Sequence, residues 1–101
     1  MGFLTKLKEI IMGPDVDFKE LINNGTVIVD VRSPGEFQSG NAKGSKNIPV
    51  ENIGVNTDQF KDKEVILVCR SGARAGSAKS TLEQSGITAY NAGAWQNLNG
   101  L

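Results

Sequence analysis

Val65-Ile66-Leu67-Val68-Cys69-Arg70-Ser71-Gly72-Ala73-Arg74 is the stretch on which the reading of this chain turns. Its first four residues form an unbroken aliphatic run, which reads as a central strand. Arg70-Ser71-Gly72 is poor strand material, so Cys69 stands at the edge of the sheet and not within it. A helix-forming segment begins about where the loop ends. Cys69 is the only cysteine of the chain, and Arg70 and Arg74 are two of its three arginines. From Val65 to Leu82 there is no acid, only Arg70, Arg74 and Lys79. A lone cysteine at a strand end is often a small apolar filler, but two arginines within five residues would be costly neighbours for an inert core position. A thiol between a strand end and a helix N-terminus, with cations close by, has its thiolate stabilised. Free N–H groups in the same turn can cradle an anion. The stretch reads as a nucleophilic thiolate in an anion-binding loop.

Composition narrows the chemistry that this thiol can join. With no histidine, Ser-His-Asp and Cys-His catalysis and most zinc sites are excluded, and no metal or cofactor is expected. One cysteine cannot form an internal disulfide, a zinc cluster or a C-x-x-C pair. Activation must therefore rest on an intrinsically low thiol pKa. The formal net charge of +0 argues against nucleic acid or an acidic membrane surface as the main partner. A length of 101 residues suits a single core.

Upstream, residues 1–14 form a unit of their own and 15–101 make the domain. Phe3, Leu4, Leu7, Ile10 and Ile11 recur at helical spacing, which predicts an amphipathic helix packing on the domain edge. Gly13-Pro14 then breaks the chain. Lys6, Lys8 and Glu9 interrupt the apolar core that a signal peptide needs, and Lys6 stands where a myristoylation signal wants Ser or Thr. There is no transmembrane span, so a reducing cytoplasmic setting is expected. Asp15 or Asp17 can cap a helix carrying Phe18, Leu21 and Ile22, which Asn23-Asn24-Gly25 ends.

Thr26–Val31 is a β-branched run without polar alternation, as in a strand buried on both faces of a parallel sheet. Ser33-Pro34-Gly35-Glu36 reads as a capping box with proline at the first helical position. Lys46–Val50 predicts a short strand, and Glu51–Asp62 turns with one short helix holding Phe60. Beyond the loop, a helix is expected over Ala75–Ser85, where Gly76 implies close packing on the sheet. A last strand is expected over Ile87–Tyr90 and a helical turn over Ala94–Leu98. Strands alternating with helices predict an open parallel α/β sheet with its ligand at the carboxyl ends of the strands.

Cys69–Arg74 resembles the active-site loop of the rhodanese (sulfurtransferase) family, and its wording is close to that of the small stand-alone bacterial members. Four further stretches agree in order: Ile28–Arg32, Pro34–Phe37, Gly44–Pro49 and Asn91-Ala92-Gly93-Ala94-Trp95. The resemblance covers about Phe18 to Leu98. The family often has His-Ile where this chain has Asn41-Ala42, and a Gly pair where it has Gly93-Ala94; both departures leave the nucleophile untouched.

The resemblance implies a sulfurtransferase. Cys69 would take the outer sulfur of a small donor such as thiosulfate or a persulfide, then pass it to cyanide or an external thiol, free or on a partner protein. The backbone of Arg70, Ser71, Gly72, Ala73 and Arg74 would cradle the persulfide. It further implies that Asp30, Arg32 and Glu36 are structural, tying the strand end to the following turn. From charge and position, Arg70 and Arg74 would attract the anionic donor and offset leaving-group charge. Trp95 is a secondary site candidate, although a buried aromatic more often belongs to the core. Two other readings stand beside this one. A phosphatase or arsenate reductase on the same fold also uses a cysteine-to-arginine loop, but one residue longer than the four enclosed here, and with an acid that this loop lacks. A non-catalytic interaction module would be marked by loss of the cysteine, which is present.

Overall fold

Two strands at the middle of the sheet build both halves of the core, because successive side chains along each point to opposite faces. The computed structural model describes residues 16–101, so the N-terminal helix and turn expected over 1–14 lie outside the described residues. Strand β1 (Val27–Asp30) and strand β3 (Glu64–Cys69) run parallel, with Ile28 opposite Ile66 and Val29 opposite Leu67. Val29, Val31, Val65, Leu67 and Cys69 enter one buried cluster, and Ile28, Ile66 and Val68 enter the other. Strand β2 (Lys46–Asn47) flanks β1 and strand β4 (Thr88–Ala94) flanks β3, giving a four-stranded parallel sheet of order β2-β1-β3-β4. From Val65 to Cys69 both faces of β3 are covered, which is why that run is continuously apolar.

The helices divide between the faces. Helix α1 (Phe18–Asn23) is capped by Asp17, whose side chain accepts from the Glu20 N–H at 3.0 Å, and it lays Phe18, Leu21 and Ile22 on the second cluster. Helix α2 (Pro34–Ser39) starts with the expected capping box: Ser33 N–H donates to Glu36 Oε1 at 3.0 Å, and Glu36 N–H to Ser33 Oγ at 3.4 Å. Helix α3 (Ala73–Gln84) covers the first cluster with Ala75, Ala78 and Leu82. A Cβ at Gly76 would sit 3.5 Å from Asn91 Nδ2, an ordinary van der Waals contact, so the helix packs on β4 there with room for a methyl group.

Several boundaries differ from the sequence expectations. The run expected as a strand to Val50 is regular strand only over Lys46–Asn47; beyond it the N–H groups of Ile48 and Val50 still donate to the carbonyls of Asp30 and Val31, and the Asn47 side chain donates to those of Asp30 and Arg32. Residues expected to hold one short helix form two 3-10 segments, Val50–Val55 and Thr57–Phe60, which bury Ile53 and Phe60. Strand β4 runs four residues beyond Tyr90, and Trp95–Leu98 forms a 3-10 turn.

Candidate active site

Cys69 is the last residue of β3, at the carboxyl end of the sheet, and its side chain is 1% exposed. The chain turns directly into α3 through Gly72, the residue before the helix, which has φ +104°. Glycine is needed at that turn because the backbone is left-handed; the neighbouring Gly93 Cα would be 3.4 Å from a Cβ, an ordinary contact. No side chain caps α3. The free N–H groups of a helix start need an acceptor, and here the sulfur takes that place. Gly72 N–H donates to Cys69 Sγ at 2.9 Å and Ala75 N–H at 3.5 Å. Burial pushes the Cys69 thiol up, but the backbone N–H groups of Ala75, Gly72, Ser71 and Arg74 together outweigh it. The thiol lies below its ordinary value. The cradle is thus made of backbone, as a negative sulfur requires.

The two arginines of the loop have different situations. Arg70 is exposed, and among the described residues its side chain makes no hydrogen bond or ion pair. Arg74 is paired with a carboxylate. Its guanidinium forks onto Glu36, Nη1 to Oε1 at 2.7 Å and Nη2 to Oε2 at 3.1 Å. Those bonds, with the Ser33 N–H, lower the Glu36 carboxyl to about 2. Glu36 therefore reaches past its own turn and ties α2 to the first turn of α3.

Asp30 and Arg32 are buried at the end of β1 and paired with each other. Arg32 Nε lies 2.9 Å from Asp30 Oδ1 and Nη2 lies 2.7 Å from Oδ2, with Nη2 also donating to the Gly40 carbonyl at 2.7 Å. The Arg32 guanidinium stacks 5.1 Å from the centre of the Trp95 ring. Trp95 thus belongs to this scaffold, on the face of the sheet away from α3.

One contributor to the loop escaped the sequence reading. Asn91 of β4 donates from Nδ2 to the Gly72 carbonyl at 2.9 Å and accepts at Oδ1 from the Gly93 N–H at 2.8 Å. The signal was there in Asn91-Ala92-Gly93, a polar residue and a glycine inside a strand, which marks a bulge.

A parallel α/β domain with a lone cysteine whose sulfur is met by backbone N–H groups at the strand-to-helix turn defines a class of cysteine-loop proteins. Within that class, the model of the Rhodanese-like domain matches residues 15–99, and the chain belongs to the rhodanese-like family. It is 37% identical over 62 residues to the uncharacterized protein YqhL of Bacillus subtilis, covering 60% of this chain and 49% of that one. It is 34% identical over 61 residues to a protein named sulfurtransferase from Allochromatium vinosum, covering 59% and 57%. A tRNA uridine(34) hydroxylase of Acholeplasma laidlawii is 32% identical over 77 residues, covering 69% of this chain and 24% of that one. The chain thus spans between about a quarter and three fifths of the length of these relatives. Among solved structures, a rhodanese-like domain protein of Staphylococcus aureus superposes with a TM-score of 0.70 at 30% identity, covering 82% of this chain and 84% of that one. A Staphylococcus saprophyticus protein gives 0.68 at 31%, covering 97% and 93%. Among the described residues, no helix is long and apolar enough to cross a membrane.

Proposed function

We propose that this protein is a sulfurtransferase that carries sulfane sulfur as a persulfide on Cys69. The observation that carries the reading is the convergence of backbone N–H groups on Cys69 Sγ at a helix start that has no other cap. Thiolate Cys69 attacks the outer sulfur of an anionic donor such as thiosulfate. An S–S bond forms to Cys69 as the bond within the donor breaks, and sulfite leaves with the bonding electron pair. An acceptor thiolate or cyanide then attacks the outer sulfur of the persulfide, and Cys69 departs as thiolate. Both half-reactions leave negative charge on sulfur within the turn, where preorganised N–H donors stabilise it without rearrangement. The name borne by the Allochromatium relative agrees with this reading. The phosphatase alternative lacks an acid for the leaving group: the carboxylate next to the loop, Glu36, is held ionised by Arg74.

The test is intact mass after incubation with thiosulfate and removal of excess donor. The expected product is the protein heavier by one sulfur atom, absent in Cys69→Ser. A wild type that gains no mass from thiosulfate, polysulfide or a small persulfide would overturn the reading.

A further inference from the structure

The motif Asn91-Ala92-Gly93-Ala94 is absorbed neither by the nucleophile nor by its arginines, and the geometry around it is unusual for the end of a strand. Between Leu67 and Cys69, β3 advances two residues while β4 advances from Asn91 to Ala94, so β4 bulges beside the cysteine. Gly93 sits in the bulge at φ +78°. A Cβ there would meet Asn97 Nδ2 at 3.0 Å, and Asn97 itself donates to the Ala92 carbonyl at 2.8 Å. The bulge is therefore pinned from beyond the strand. On its other side it touches the active-site turn, since a Cβ at Gly72 would lie in van der Waals contact, 3.4 Å from the Gly93 Cα.

We infer that Asn91 is a positioning residue for the sulfur cradle: its side-chain amide clamps the Gly72 turn to the β4 bulge, so that the N–H groups stay aimed at Cys69. The amide is held at both ends, with Oδ1 taking the Gly93 N–H and Nδ2 giving to the Gly72 carbonyl. That carbonyl also accepts from Gly76 N–H at 2.9 Å, the first hydrogen bond of α3. Gly72 is thus fixed on its carbonyl side by strand and helix together, while its own N–H gives the shortest contact to the sulfur. Gly72 has no side chain of its own to hold a left-handed conformation, and glycine visits many others. Without Asn91, the Gly72 carbonyl keeps only its bond from Gly76, and the Ser71–Gly72 peptide, whose N–H meets the sulfur, gains room to turn away from it about the Gly72 backbone. The thiolate loses more from that rotation than the neutral thiol does, because hydrogen bonding to a charged form favours that form.

The inference bears on sulfur transfer only if the proposed function holds, so its test reads the thiol directly, with no sulfur donor. Cys69 is alkylated with iodoacetamide across pH in the full chain, comparing wild type with Asn91→Ala and Asn91→Leu. The charged residues on the elements around the thiol are Arg70 and Arg74 of the loop, Asp30 and Arg32 at the end of β1, Glu36 of α2, Glu51 and Asp58 of the 3-10 segments, Glu64 of β3, and Lys79 and Glu83 of α3. All are unchanged in these variants, and β4 contributes no charge. The alkylation midpoint should rise by about half a unit to one unit, which is about a three- to tenfold smaller ionisation constant for the thiol. Tyr90→Phe removes the hydrogen bond from β4 to Glu64 and should leave the midpoint alone. Folded Asn91 variants with a wild-type midpoint would overturn the clamp. Should both variants fail to fold, the unmodified protein still decides. The Asn91 side-chain amide protons should be protected from exchange and should shift when Cys69 is alkylated; fast-exchanging, unshifted protons overturn it. A wild type with a depressed midpoint and no sulfur transfer would instead count against the proposed function and leave the clamp standing.

Discussion

Arg74 and Glu36, 38 residues apart in the chain, form a two-pronged ion pair that joins the first turn of α3 to the capping box of α2. The carboxylate serves three donors at once: Arg74, the Ser33 N–H and the Ser33 hydroxyl. A helix cap that would otherwise be local is thereby made part of the wall of the thiol loop.

The pair has a pH signature with a definite sign. Folded Glu36 titrates at about 2, against an ordinary 4.5. A folded-state pKa that is depressed contributes stability above the unfolded value, and that contribution is lost as pH falls from about 4.5 toward 2. Glu36→Gln should therefore unfold at lower temperature than wild type at neutral pH. The difference between the two should shrink steadily below pH 5. Thermal melts at intervals from pH 7 to pH 2 check this. A difference that stays constant over the whole range would mean that the ion pair adds nothing to folding.

The loop's two cations should separate in kinetics. Arg70 is exposed and unpaired among the described residues, so its attraction for an anionic donor is long-range and screened by salt. Arg70→Ala should raise the KM for thiosulfate by about three- to tenfold at low ionic strength, and less in high salt. Arg74→Ala should also raise KM, for a different reason: it leaves the Glu36 carboxylate unneutralised beside an anion site. Combining it with Glu36→Gln should then recover most of the affinity, whereas Glu36→Gln should not rescue Arg70→Ala. Equal behaviour of the two arginines in this cycle would contradict the division of roles.

At the end of β1, Asp30 is 0% exposed and Arg32 5%, with the fork between them and the Gly40 carbonyl satisfying the guanidinium. Removing one member of a buried pair strands the other. Asp30→Ala should lower stability by about 3–5 kcal/mol, measured by urea unfolding. Asp30→Asn should lie between it and wild type, because an amide can still accept from Arg32. An alanine variant within about 1 kcal/mol of wild type would remove Asp30 from the scaffold.

What could be read from the sequence follows from how local each cause is. Strand β3 and the site of Cys69 are visible because an aliphatic run gives way at once to Arg70-Ser71-Gly72. The capping box is visible because Ser33, Pro34 and Glu36 act within one turn. The second task of Glu36 is not visible, since nothing near it in sequence points to a cation 38 residues on. Strand β4 reads as ending at Tyr90 because Asn91-Ala92-Gly93-Ala94 has neither β-branched residues nor alternation. It continues as strand because β3 offers ladder partners as far as Cys69, opposite Ala94. Tertiary pairing overrides weak local preference there. Strand β2 shows the reverse: Ile48 and Val50 have strand-like side chains and still donate to the carbonyls of Asp30 and Val31, but Pro49 between them has no N–H for a ladder and the regular strand ends at Asn47.

The last prediction rests on the fate of the transferred sulfur. A protein with two neighbouring thiols can discharge a persulfide by itself, forming a disulfide and releasing sulfide. Cys69 is the only thiol in this sequence, so no intramolecular attack is available. The loaded form should persist once donor is removed, since its outer sulfur can leave only with an external nucleophile. Attack requires the acceptor as an anion, and the rate of exchange follows its thiolate fraction. Within a series of small thiols at pH 7, discharge should therefore quicken as acceptor pKa falls toward 7, and slow again for still weaker nucleophiles. The approach is not barred by charge, because the chain from Gln84 to Leu101 carries none. The measurement is intact mass against time for the loaded protein, with cyanide, with each thiol, and with none. If the added sulfur disappears as fast with no acceptor as with one, Cys69 is not a carrier waiting for a partner thiol.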